Sequence, residues 1–432
     1  MLSKGLILDA ISGRRIKIKK HIAGGGKCDI YDIALSDSKD ECVLIWYNHY
    51  PSDEMYDNIK MLHETGCPDD AFLWPIEVTE LYEESYGYIV RKTDNSLRSL
   101  GDILSGKAGF DSNKARVECC INLISSFIKL YEKNLCYFAF SPDMLWVDCT
   151  TGQIVLTACD MITSDGELLY KHLYSPSLEA PEILEGNMAP TKNSNNFSLA
   201  IMIYMLLFLG HPFEGLKSLV SCMTHERQKG IYGFGAVFTF DAVDTSNKPV
   251  KAIHSNMINR WSETPSFIKE CFARFFARNS IVEPNERPNE QFLLDSLLRY
   301  QSSLATCTCG NEVVFDKAVI TCSKCNSLLN AKYWLQIKEC MIPLLPGKKI
   351  LECQLGGIGY SIGGLNPTLS IVRNPQDPSI VGLKNCTDGE ILVITKSGKE
   401  KVIMSNEIAP LQHIVQISIN GKKYEVTCQK DT

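Results

Sequence analysis

The sequence predicts an α+β chain assembled from successive modules, and three observations carry that expectation. Strand-like runs with apolar and polar residues alternating dominate residues 1–95, helical runs follow over 96–302, and β-like runs return over 340–432. Between the last two, residues 303–335 hold four cysteines in two close pairs. At 432 residues, with 45% apolar and 22% charged, the chain is long enough for two or three hydrophobic cores.

Charge and cysteine usage narrow the function classes. A formal net charge of −6 gives no broad positive field, so nucleic acid is not the expected main partner. Most of the eighteen cysteines are scattered singly through apolar segments, as at Cys42, Cys119, Cys120, Cys136 and Cys159. That pattern points to reduced core thiols in a cytoplasmic protein rather than a secreted disulfide framework. The opening MLSKGLILDA reaches Asp9 before an apolar stretch of signal length develops, and no secretory signal is expected. The most apolar run, FSLAIMIYMLLFLG at 197–210, is too short to span a bilayer and predicts a buried helix.

In chain order, RIKIKKHIAGGGKCDIYDIAL predicts two strands around a glycine loop. Gly24, Gly25 and Gly26 could bring backbone amides to a phosphate, although a glycine run more often serves only as a tight turn. ECVLIWYN predicts a third strand, Asp53 to Thr65 a helix stopped by Gly66 and Pro68, and FLWPIEV and YGYIVRK two more strands of a five-stranded lobe. From Leu97 the pattern turns helical, in LRSLGDIL and then ARVECCINLISSFIKLYEKN. That helix leads into YFAFSPDMLWVDCTTGQIVLTACD, Tyr137 to Asp160. Ala180, Pro181 and Glu182 follow, then the apolar helix, the turn GHPFEG, and Arg287 within EPNERPNEQF.

On these marks, in this order, residues 10–300 resemble a protein kinase domain. Tyr137, Phe138 and Ala139 fall where the family has HRD, Pro142 keeps its proline, and Ala158, Cys159 and Asp160 stand for DFG. Ala180 to Glu182 spell APE, and the resemblance implies that Arg287 pairs with Glu182. FLWPIEV, SFIKLYEKNLCYFAFSPDMLWVD and FTFDAVDTSNKP carry a narrower resemblance, to kinase-like proteins of bacteria whose genes travel with phosphatase and von Willebrand A-type partners. What this implies is a bilobal kinase-like fold with its chemistry removed. Ile45 stands in the slot of the phosphate-holding lysine, Ala139 in that of the base, and Met144 and Ala158 in those of the magnesium ligands. The partner-glutamate slot falls near Asn58, with Glu54 and Asp57 close by.

The function expected is therefore that of a pseudokinase, a regulatory or scaffolding protein holding a partner such as a cognate phosphatase or kinase, with little or no magnesium-dependent binding of ATP. The alternative is an ATP-dependent phosphotransferase or nucleotidyltransferase that uses displaced acids such as Asp143 and Asp160.

Cys307 and Cys309, then Cys322 and Cys325, form C-x-C-x12-C-x2-C, which predicts a zinc ribbon. Four cysteines close the coordination shell, so that zinc is expected to be structural. The runs KKILECQL, TLSIVRN, EILVITK, EKVIMS, HIVQISI and KKYEVT predict a small β-sandwich. It resembles the forkhead-associated-like sandwich, with GLKNCTDGEILV the closest stretch. Arg373 is the only arginine after residue 300, and docking is expected over phosphopeptide reading. His21, His49, His63 and His172 are scattered and predict no catalytic constellation. Asp148 is expected to serve the turn before Gly152.

Overall fold

A computed structural model of the chain describes residues 1–432 apart from positions 37, 39, 95, 139, 170–174, 187, 316–318, 338–339, 356–365 and 429–432. Its mixed α and β structure forms two compact units. Met1–Asp111, Asn122–Glu263 and Phe272–Glu290 make the first, and Ser112–Ile121, Thr264–Cys271 and Gln291–Thr432 the second.

The first unit opens with β1 (Ile7–Asp9), β2 (Arg15–Gly24), β3 (Cys28–Leu35), β4 (Cys42–Tyr47), α1 (Asp53–Thr65), β5 (Glu77–Val78) and β6 (Gly87–Arg91). The strands form one antiparallel sheet in the order β1-β2-β3-β4-β6-β5. The sequence led to five strands and the sheet has six, because β1 pairs with the start of β2. Only Leu8 of its three residues is buried, too little alternation to register as a strand. Alternation along β2 to β4 sends Ile16, Ile18, Tyr31, Ile33, Leu44 and Trp46 into one core. It turns Ile45 and Tyr47 to the opposite face. Helix α1 starts where the Ser52 hydroxyl accepts from the Met55 amide, and ends at Gly66, whose φ of 73° needs a residue without Cβ.

The chain continues through β7 (Arg98–Ser99), α2 (Leu100–Leu104), α3 (Asn113–Glu132), β8 (Leu135–Tyr137), β9 (Leu145–Val147), β10 (Ile154–Leu156) and β11 (Ile162–Ser164). Helices α4 (Pro181–Leu184), α5 (Lys192–Phe208), α6 (His225–Tyr232), α7 (Ser255–Glu263), α8 (Ser266–Phe275), α9 (Arg278–Val282) and α10 (Glu290–Ser303) follow. The apolar run at 197–210 becomes α5, which is buried from Ser194 to Phe208 because it is apolar on every side. Thr191 and Ser194 cap its start reciprocally. The Tyr204 ring lies at the centre of Phe208, Phe238, Phe272 and Phe276. Among the described residues, no helix is long and apolar enough to cross a membrane.

In the second unit two short hairpins, β12 (Leu304–Thr306) with β13 (Glu312–Val314) and β14 (Val319–Thr321) with β15 (Leu328–Asn330), carry the cysteines in their turns. Then come β16 (Tyr333–Ile337), β17 (Cys340–Pro343), β18 (Lys349–Leu351), β19 (Pro367–Arg373), β20 (Val381–Asn385), β21 (Ile391–Thr395), β22 (Glu400–Ile403), β23 (Ile408–Pro410), β24 (Ile414–Ile419) and β25 (Lys422–Cys428). They make two sheets, β17-β16-β25-β24-β21-β22 and β18-β19-β20-β23. Leu335, Val393 and Ile417 of one sheet share a core with Leu369, Ile371 and Leu383 of the other. β16 begins at Tyr333, so the sheet starts directly after the second cysteine hairpin.

Candidate functional site

Two constellations gather chemically able side chains. The first is the cysteine cluster. Cys307 and Cys309 sit in a turn where the Cys307 amide donates to Asn311 O and the Gly310 amide to Cys307 O, with Gly310 at φ 82°. The second turn repeats this: the Cys322 amide donates to Ser327 O and the Asn326 amide to Cys322 O, with Asn326 at φ 57°. Residues favouring left-handed backbone at these two points fold each cysteine pair inward. The four sulfurs lie within 4.8 Å of one another. Cys307 Sγ is 3.6 Å from Cys325 Sγ, and Cys309 Sγ is 3.7 Å from Cys322 Sγ.

These separations suit a metal. With a Zn–S bond of about 2.3 Å, the edge of a sulfur tetrahedron is about 3.8 Å. The cluster also favours thiolates at two positions. The Ser327 hydroxyl and amide draw the Cys325 thiol down to about 6, and the Cys325 amide lowers Cys322. Cys309 is pushed up to about 11: the Asn311 amide lowers it, but burial and the three neighbouring sulfurs raise it. Four thiolates cannot share so small a volume without a cation. Among the described residues this is the one group of three or more ligating side chains that could hold a metal.

The second constellation is a buried carboxylate. Asp160 follows Ala158, which has left-handed φ of 55°, in a single helical turn, Cys159–Met161. That turn brings Asp160 beneath the sheet. Tyr47 donates its hydroxyl to Asp160 Oδ2 at 2.7 Å, and Tyr88 donates to Oδ1 at 3.0 Å. Burial raises the Asp160 carboxyl above its ordinary range despite both donors, and burial also lifts both tyrosines. Ile45 lies two residues before Tyr47 and directly opposite Tyr88 in the sheet. From the helix side, Asn58 Nδ2 donates to Ile162 O at 2.8 Å, two residues beyond Asp160.

The other expected residues are placed as follows. Met144 is buried, and its carbonyl accepts from the Thr157 amide. Ala139 and His172 lie outside the described residues. Gly24, Gly25 and Gly26 form a closed turn: the Gly25 amide donates to Cys28 O, and Asn48 Nδ2 donates to Gly25 O. A Cβ on Gly24 would lie 2.1 Å from Asp29 Oδ1, so a carboxylate borders the loop. Asp143 is exposed, its Oδ1 bordering Gly101, while Asp160 is enclosed by tyrosines. Asp148 accepts from the Thr150 and Thr151 amides, as a turn residue does. His21 lies 3.4 Å from Asp29 and His63 3.8 Å from Glu77; His49 is exposed. Cys42, Cys119, Cys120, Cys136 and Cys159 are buried, unbridged thiols.

Sequence reasoning did not single out Tyr47, Tyr88 or Glu179. The alternation Tyr86-Gly87-Tyr88, on a strand beside Tyr47, is the signal that could have found the tyrosines. Glu179 is buried, accepts from the Phe140 amide at 3.2 Å, and has its carboxyl pushed up to about 8, chiefly by burial. Glu182 and Arg287 form a buried, two-pronged ion pair. Compared with known proteins, the chain matches no family model and no curated protein sequence.

Proposed function

We propose that this chain is a pseudokinase, a non-catalytic regulatory or scaffolding protein of a phospho-signalling system that holds a protein partner such as a cognate phosphatase or kinase. The observation that carries this reading is the engagement of both Asp160 oxygens by Tyr47 and Tyr88, beside Ile45. A kinase needs a lysine and carboxylate-held magnesium at this place to neutralise the nucleotide phosphates. Here the Asp160 carboxylate is spent on two phenols, the lysine slot is aliphatic, and the glycine turn keeps its Gly25 amide for itself. Phosphate charge brought to such a wall finds neither the strand lysine nor the metal-holding carboxylates of a kinase, which makes its burial unfavourable. The Glu182–Arg287 pair supports the kinase-like frame drawn for residues 139–300, because the APE resemblance implies that partnership.

Zinc held by Cys307, Cys309, Cys322 and Cys325 serves structure in this reading, with no position left for water. The C-terminal sandwich is a docking module: Arg373 donates to Pro378 O at 3.3 Å, within its own turn. The buried thiols, unbridged by disulfides, suit a reducing cytoplasm.

The test is a calorimetric titration with ATP, with and without magnesium, beside a radiolabel transfer assay and affinity capture of partners. Little magnesium-dependent binding and no transfer are expected. Tight magnesium-dependent binding abolished by Asp160→Ala overturns the reading in favour of a phosphotransferase.

A further inference from the structure

The cysteine hairpins do more than enclose a metal. Helix α3 begins at Asn113, and its first three amides need acceptors from outside the helix. The Ser112 hydroxyl takes the amide of Ala115 at 3.0 Å. The other two go to one side chain 198 and 199 residues away: Glu312 accepts from the Asn113 amide through Oε2 and from the Lys114 amide through Oε1, the latter at 3.1 Å. A carboxylate at a helix N-terminus is also favoured by the helix dipole. Glu312 opens β13, opposite Thr306, so the turn holding Cys307 and Cys309 fixes its position directly.

The four sulfurs differ in access. Cys307 and Cys322 are buried and Cys309 is half-buried, but Cys325 is exposed. The Cys307 sulfur lies 3.6 Å from it. A shift of about 1.5 Å brings that pair to disulfide length.

We propose that the cluster is a peroxide-sensitive zinc site, in which Cys325 and Cys307 become a disulfide, zinc leaves, and α3 loses its Glu312 cap. This rests on the zinc reading given above. The Cys325 thiolate attacks one oxygen of hydrogen peroxide, the O–O bond breaks, and the departing hydroxide takes a proton to become water. The resulting sulfenic acid is attacked at sulfur by the Cys307 thiolate. The S–S bond forms, and the sulfenic oxygen leaves as hydroxide and is protonated to a second water. Two sulfurs lose two electrons in total, and peroxide gains them. The two remaining thiolates cannot hold zinc in a tetrahedral shell. Without metal the hairpin no longer presents Glu312 to the helix.

The experiment uses the full chain carrying Cys67→Ser, Cys222→Ser and Cys428→Ser, which removes the other exposed thiols among the described residues. Zinc-loaded protein is treated with hydrogen peroxide and followed by a colorimetric zinc chelator, by peptide mass mapping and by amide hydrogen exchange. The expected result is release of the zinc, a Cys307–Cys325 disulfide, and exchange of the Asn113 and Lys114 amides about fivefold faster, the effect of losing a helix cap. Dithiothreitol with added zinc should reverse all three. Glu312→Ala should still release zinc, but with α3 exchanging fast before and after peroxide. Retention of zinc under peroxide, a disulfide confined to Cys309 and Cys322, or zinc loss with unchanged α3 exchange each overturns the proposal while leaving the zinc reading intact. Protein that takes up no zinc at the outset sinks both.

Discussion

Arg287 grips Glu182 with both ends of its guanidinium, Nη1 to Oε1 and Nη2 to Oε2 at 2.6 Å each, across 105 residues of sequence. Its Nε donates to Ser280 O, and its Cζ lies 4.6 Å from the centre of the Phe197 ring. Removing one partner strands the other charge in a place that water does not reach. Glu182→Ala should therefore cost about 3 to 5 kcal/mol in urea unfolding. A cost below about 1 kcal/mol would mean that the pair is not a buried brace.

Asp160 gives a prediction of sign. Its carboxyl is raised by burial, so the stability it contributes is complete below the unfolded value near 4 and is lost as pH rises through the folded value. Asp160→Asn keeps an acceptor for one tyrosine and a donor for the other. It should hold or raise the melting temperature at pH 8. Asp160→Ala leaves the Tyr47 and Tyr88 hydroxyls buried without their acceptor and should cost about 1 to 3 kcal/mol for each. Equal melting temperatures for the two variants contradict this account.

Glu179 carries a wider pH window. Burial lifts its carboxyl to about 8 and the nearby Glu182 adds to this, while the Phe140 amide works the other way. Its stabilising contribution should be intact below about pH 4 and decline as the pH rises towards 8. Glu179→Gln removes the titration. Urea midpoints measured from pH 5 to 8 should fall less steeply for Glu179→Gln than for the parent, and parallel curves would refute the assignment.

Metal removal is the simplest check on the second unit. One tightly bound zinc per chain is expected by elemental analysis, and Cys322→Ser should release it and unfold the hairpins, because binding and local folding are linked. A metal-free protein with intact hairpins would falsify the zinc assignment.

How far the sequence could be read depended on the distance over which each contact acts. Alternation in β2 to β4, the apolar run of α5 and the paired cysteines are local patterns, each visible within about 20 residues. The residues that fill the cleft are not. Tyr47 meets Asp160 across 113 positions, and nothing in the neighbourhood of either announces the other. The glycine loop shows the same limit: the spacing of Gly24 to Gly26 is compatible with a phosphate cradle or a turn, and Asn48 and Asp29 mark the closed turn only once folded. Glu312 is the extreme case, an acidic residue in an unremarkable hairpin until α3 is placed beside it.

β25 lies between β24 and β16, with Tyr333 opposite Cys428, so a strand at the start of the sandwich is completed by one at its end. On the ribosome, β16 and β17 emerge roughly ninety residues ahead of the strand that covers β16. At about 5 to 20 residues per second the nascent sheet waits about 5 to 20 seconds with that edge open. The backbone amides and carbonyls along that edge of β16 stay unpaired during the interval, making this segment the natural place for a chaperone to engage the growing chain.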